Sequence, residues 1–157
     1  MTDFEQNLND VLVDTFNGIL RYEELCLKNM YTAPVTVSEA HMIDAIGKID
    51  NPTVSEIAGR MGIALPTATL ALKKLENKGF VTKTQSASDG RKAHVSLTRI
   101  GEKVHRAHNM FHHKLVKNIS DQFNESEKEI LLSAIKSLSL FFEDMTMKST
   151  PKQVVVQ

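Results

Sequence analysis

Two groups of residues in this 157-residue chain have types and spacings suited to chemistry. His105, His108 and His112 stand at i, i+3 and i+7, so a helix there carries all three on one face, with His113 beside them. His108 and His112, one turn apart, can grip a single metal ion, and His41 with Glu24 or Cys26 are further candidate ligands for an ion such as zinc. The competing reading makes these histidines polar residues of a helix junction that hydrogen-bond to backbone or to each other. The second group is Gln85 to Arg91, a polar stretch without a core residue that ends Asp89-Gly90-Arg91 and is followed by Lys92. At the tip of a hairpin it would lie over a duplex backbone or minor groove, where the negative potential of a narrow groove favours arginine.

The elements that must position this tip are legible around it. Thr53-x-x-Glu56 is a capping-box pattern, and Val54, Ile57, Ala58 and Met61 follow at helical spacing until Gly62, which accepts a helix-ending positive φ. Pro66 then suits the first turn of a second helix whose inward face is Ala68, Ala71, Leu72 and Leu75. Leu65, Thr67, Thr69, Leu70, Lys73 and Lys74 are left turned wholly or partly outward. Small hydroxyls and methyls early in such a helix suit base edges in a major groove, and the later lysines suit phosphates. Gly79 closes the helix, and Phe80 to Thr84 and Lys92 to Leu97 have the alternation of two strands. Helix, turn, helix and basic-tipped hairpin together predict a unit that engages two grooves of double-stranded DNA.

The charge distribution agrees. The chain is neutral overall, but residues 1–52 carry a net −6, residues 53–103 a net +5 and residues 104–157 a net +1. An acidic start beside a basic middle is the asymmetry expected when one module faces phosphates. No Gly-rich phosphate loop, Gly-x-Ser-x-Gly or distinctive carboxylate pair is present, so no enzymatic reading competes. No apolar run approaches the roughly 20 residues of a membrane span and no signal pattern opens the chain, which places the protein in the cytoplasm. Cys26 is a lone cysteine, which excludes an internal disulfide; Glu23 and Glu24 beside it would raise a thiol pKa, so it is read as a packed apolar residue rather than a redox sensor.

Val54-Ser55-Glu56-Ile57-Ala58, Leu75-Glu76-Asn77-Lys78-Gly79-Phe80-Val81, the Asp89-Gly90-Arg91 tip and Val95-Ser96-Leu97-Thr98-x-x-Gly101 resemble the multiple-antibiotic-resistance regulator (MarR) family. The resemblance covers nearly the whole chain. It implies a mostly α homodimer with a small β-hairpin wing, a winged helix-turn-helix with a helical dimerisation domain, in which Arg91 enters the minor groove and Asp89 braces the tip. Where many members carry Ser at the recognition-helix cap and Arg on its outer face, this chain has Ala64, Leu65 and Leu70, which offer no donor to guanine O6 and N7. A zinc-sensing branch resembles it at His41, His108 and His112. The segments His41-Met42-Ile43-Asp44-Ala45-Ile46-Gly47-Lys48 and His105-Arg106-Ala107-His108-Asn109-Met110-Phe111-His112, with the Glu23-Glu24 pair, are more similar to the branch that represses bacterial fatty-acid synthesis. That branch implies a long-chain acyl group on acyl carrier protein as corepressor. Ile19, Met42, Ile46, Met110 and Phe111 are candidates for an apolar slot, and Arg99, Lys103 and Arg106 for contacts to an acidic carrier.

The expected organisation is an N-terminal dimerisation helix over 1–35, the winged helix-turn-helix over 36–97, C-terminal dimerisation helices over 98–148 and a tail without order over 149–157. Leu8, Val11, Leu12, Phe16, Ile19 and Leu20 form one apolar stripe, and Ile130, Leu131, Ala134, Ile135, Leu138, Phe141, Phe142 and Met145 a broader one. Pairing with a second copy is the simplest burial for both, against a four-helix core inside one chain. Thr2-x-x-Glu5, Thr36-x-x-Glu39 and Asn124-x-x-Glu127 mark helix starts, and Thr98 opens another long helix.

Overall fold

A computed structural model describes residues 1–30, 35–85 and 93–149. The chain order is α1 (Asp3–Met30), α2 (Val37–Gly47), α3 (Val54–Met61), α4 (Leu65–Asn77), β1 (Val81–Gln85), β2 (Ala93–Leu97), α5 (Arg99–Ser120) and α6 (Glu125–Ser149). The four predicted Thr/Asn-x-x-Glu starts are realised by reciprocal caps. The Thr36 and Thr53 hydroxyls accept from the Glu39 and Glu56 amides while those carboxylates accept from the threonine amides, and Thr2 with Glu5 and Asn124 with Glu127 do the same. Gly62 stops α3 at φ 63°, a left-handed conformation with no steric cost for glycine. Ser149, placed in the expected tail, is the last residue of α6, and residues 150–157 of that expectation lie outside the described residues.

The chain divides into two compact units, 1–113 and 114–157. In the first, Ala40, Met42, Ile43 and Ile46 of α2 pack with Ile57 of α3, Leu72 and Leu75 of α4, Phe80, Val81, Val95 and Val104 into one core. The strands pair antiparallel from Val81 opposite Leu97 to Gln85 opposite Ala93. The ladder starts at Val81 rather than Phe80 because the Phe80 amide donates to the Leu75 carbonyl, completing the helix end around Gly79 at φ 77°. A third segment joins β2: the Val95 amide donates to the Pro52 carbonyl, and Thr53 bridges His94. The start of α3 is thereby tied to the hairpin, so helix-turn-helix and wing are held as one piece.

Within α1, only Glu23 and Leu27 are buried among the described residues; Leu8, Val11, Phe16 and Leu20 are exposed and Leu12 and Ile19 half-buried. In the second unit, α6 exposes Ile130, Ile135, Leu138, Phe141, Phe142 and Met145. Among the described residues no helix is long and apolar enough to cross a membrane.

Candidate DNA interface and histidine cluster

All six outward residues expected on the second helix of the helix-turn-helix are exposed on α4: Leu65, Thr67, Thr69, Leu70, Lys73 and Lys74. Ala68, Leu72 and Leu75 hold the opposite face in the core. Ala64 provides no side-chain cap, and Pro66 occupies the first turn, where its missing amide costs nothing. The Thr69 hydroxyl donates to the Leu65 carbonyl at 2.8 Å. The expected tip contacts Asp89, Arg91 and Lys92 lie outside the described residues.

Sequence reading missed the clamps that aim α4. Lys78 at its C-cap bonds both oxygens of Glu39 on α2, at 2.7 and 2.9 Å. Burial works to raise the Glu39 carboxyl, yet the Lys78 ammonium and the Thr36 amide more than offset it and hold the group below the usual glutamate value. Lys83 of β1 reaches Glu76 of α4 at 3.8 Å, and the His94 ring Nδ1 lies 2.8 Å from the Asn51 carbonyl. The first and third are long-range pairs, 39 and 43 residues apart, with no local signature.

His41, His108 and His112 converge at the junction of α1, α2 and α5, while His105 faces Asp44 at 3.3 Å and His113 is exposed. Glu23 Oε1 lies 3.0 Å from His41 Nε2 and 2.9 Å from His108 Nε2, and His112 Nε2 lies 3.1 Å from His108 Nε2. Glu23 is 2% and His108 3% exposed. The carboxylate is therefore Glu23 and not Glu24, which is exposed and paired with Lys28 at 2.8 Å. Glu23 shares its buried face with Leu27 one turn on, and it continues the spacing of Phe16 and Ile19. That was the available signal. Cys26 is half-buried and outside the cluster.

Burial, and then the facing His112, push the His108 imidazole below its usual value, against the opposite pull of Asp44 and Glu23. Asp44 is drawn down despite its own burial by the Lys48 ammonium and the nearby His108 and His105. Among the described residues, two buried atoms lack hydrogen-bond partners, Asp44 Oδ1 and His108 Nδ1; they face each other at 3.6 Å, and His105 Nδ1 lies 3.3 Å from the same carboxylate oxygen. A proton on Nδ1 would pair the two, whether the ring carries it as an imidazolium or a divalent cation were to take Nε2. Glu23, His41, His108 and His112 each present one ligand atom within 4.8 Å of the others, the number and chemistry of a four-coordinate zinc site. The residues fit the ion.

The five residues expected to line an apolar slot are distributed by the structure. Met42 and Ile46 are core residues; Met42 borders a cavity of about 340 Å³ between α2 and α4, and Ile46 a separate one of about 450 Å³ beside Val95, Leu97 and His105. Phe111 is buried with its ring against Tyr22, Ile19 is half-buried and Met110 is half exposed. Helical spacing marks an apolar face without distinguishing a packed core from a slot. Of the candidate basic contacts, Arg99 is exposed and Arg106 pairs with Glu102 at 3.4 Å.

A profile of the MarR family matches residues 35–93, the span from the start of α2 to the start of β2. The crystal structure of Streptococcus pneumoniae FabT in complex with DNA superposes with a TM-score of 0.86 and 33% identity, covering 90% of this chain and 99% of that one. The chain belongs to the MarR family. YhjH, an HTH-type transcriptional regulator of Bacillus subtilis, is 25% identical over 123 residues, 78% of this chain and 68% of its own length. Lactococcus lactis ZitR, a zinc-responsive MarR family member, shares the fold at 20% identity and a TM-score of 0.64, over 86% of this chain and 99% of its own. As a MarR member the protein is a DNA-binding transcriptional regulator and not an enzyme.

Proposed function

We propose that the protein represses fatty-acid-biosynthesis genes as a homodimer, with a long-chain acyl group carried on acyl carrier protein as corepressor. The observation that supports this most is the 33% identity to FabT over 90% of the chain, joined to the residues of 41–48 and 105–112 that resemble the fatty-acid repressor branch. In this reading each α4 enters a major groove, Asp89, Arg91 and Lys92 place the wing on the minor groove, and the operator is an A·T-rich pseudo-palindrome with half-sites about one helical turn apart. Ile19, Met42, Ile46, Met110 and Phe111 are the candidates to receive the acyl chain. The exposed apolar faces of α1 and α6 would be covered by the second copy.

A second reading, zinc-responsive regulation, is favoured by one observation, the convergence of Glu23, His41, His108 and His112. One titration separates the two. A corepressor must bind the DNA-competent state more tightly, so long-chain acyl carrier protein is expected to tighten operator binding by about 5- to 150-fold, the usual size of such coupling. Fluorescence anisotropy on a labelled operator, repeated with zinc and with His108→Ala, reads it. Zinc dependence that disappears in His108→Ala, with no acyl dependence, would replace the first reading by the second.

A further inference from the structure

Over the first two turns of α4 the outward side chains offer only two hydrogen-bond donors, the Thr67 and Thr69 hydroxyls. Opposite the buried Ala68, Leu72 and Leu75, the ridge runs Pro66, Leu70, Lys73, Asn77, so its first half is apolar. Leu70 is 59% and Leu65 48% exposed. Between them in sequence, Thr69 is exposed too, but its single hydroxyl proton is already given to the Leu65 carbonyl at 2.8 Å. With the proton turned back onto the helix, Thr69 has only its γ-methyl and an acceptor lone pair left to present outward.

Residues early in a recognition helix are the ones that reach base edges. In the major groove the apolar feature that distinguishes one base from the other three is the C5-methyl group of thymine. We propose that α4 reads its operator through thymine methyl groups, with Leu65, Thr69 and Leu70 as the specificity-determining side chains and the Thr69 hydroxyl as a lock on its own rotamer. Lys73 and Lys74, one turn further along, supply phosphate attraction that carries no sequence information. This rests on DNA binding through α4 and deepens it. It also accounts for Ala64, Leu65 and Leu70, which have no donor to offer guanine O6 and N7.

The test uses the full chain and an operator selected from a random oligonucleotide pool. Each thymine of one half-site is replaced singly by deoxyuridine, which removes the methyl and keeps the base pair, and affinity is measured by anisotropy. Removal of a contacted methyl is expected to weaken binding about fourfold, the equivalent of one buried CH₂. Thr69→Ser, which keeps the hydroxyl and loses the methyl, is expected to abolish the uracil effect at one position, and Thr69→Val, which keeps the methyl, to preserve it. Leu70→Ala should do at a neighbouring position what Thr69→Ser does at the first. Uracil duplexes that all bind within about twofold of the parent would overturn the proposal, since that is less than one buried methyl contributes. Failure to select any operator would instead refute DNA reading by α4, so the two failures are distinct.

Discussion

His108 shows how much one residue's surroundings decide. It sits between Glu23 of α1 and His41 and Asp44 of α2, with His112 one turn along its own helix. Burial and His112 hold its pKa below the usual 6.5. A histidine with a depressed folded pKa binds its proton more readily in the unfolded chain. Its contribution to stability is therefore complete above 6.5 and is lost as pH falls through the lower folded value. The expected outcome is a melting temperature that declines as pH falls below 6.5, with a shallower decline in His108→Gln. Circular-dichroism melts across that range check it, and equal slopes in the two proteins would contradict the assignment. The histidine array was legible in the sequence because i, i+3, i+7 spacing survives folding unchanged. Its carboxylate is harder to read, since Glu23 and Glu24 are adjacent and only the helical register shared with Ile19 and Leu27 separates them.

At the scale of elements, local chemistry announced most of the fold. The capping boxes at Thr36 and Thr53, the stop at Gly62 and the inward face of α4 all depend on residues within a few positions of one another. What the sequence could not express is why elements join where they do. Thr98 donates its hydroxyl to the Gly79 carbonyl at 2.6 Å and its amide to the Phe80 carbonyl at 3.0 Å, and accepts from the Gly101 amide at 3.2 Å. A Cβ on Gly101 would stand 2.1 Å from the Phe80 carbonyl oxygen. The Leu-Thr-x-x-Gly pattern is thus the point where α5 is pressed against the end of α4 and the start of the hairpin. Gly101→Ala forces backbone apart, and a cost of about 1–3 kcal/mol or more is expected. For a chain of this length that lowers the melting temperature by about 2–4 °C per kcal/mol. A thermal shift experiment reads it; an unchanged melting temperature would mean that α5 can move away freely.

The molecule as a whole has a neutral charge and a basic middle of only +5, which is little attraction for a protein that must hold a duplex. Doubling the reading head doubles the phosphates neutralised, and affinity then depends on salt as the sum of both copies. The sequence pointed to this through apolar stripes wider than one chain has use for. The structure leaves Phe141, Phe142 and Leu138 of α6 exposed, as it does Leu8, Val11 and Phe16 of α1. On the proposed homodimer these faces form the interface, and an aspartate placed there would be a charge buried without a partner, which is strongly destabilising. Phe141→Asp and Leu138→Asp are therefore expected to sediment as monomers or to lose solubility, and to lose operator binding with it. A soluble monomeric variant would retain only half-site binding, with a salt slope about half that of the wild type, because half the phosphate contacts remain. Sedimentation velocity and anisotropy over a salt series measure both quantities. A wild-type protein that is a folded monomer at micromolar concentration would remove the homodimer from the proposal while leaving the reading head of each chain intact.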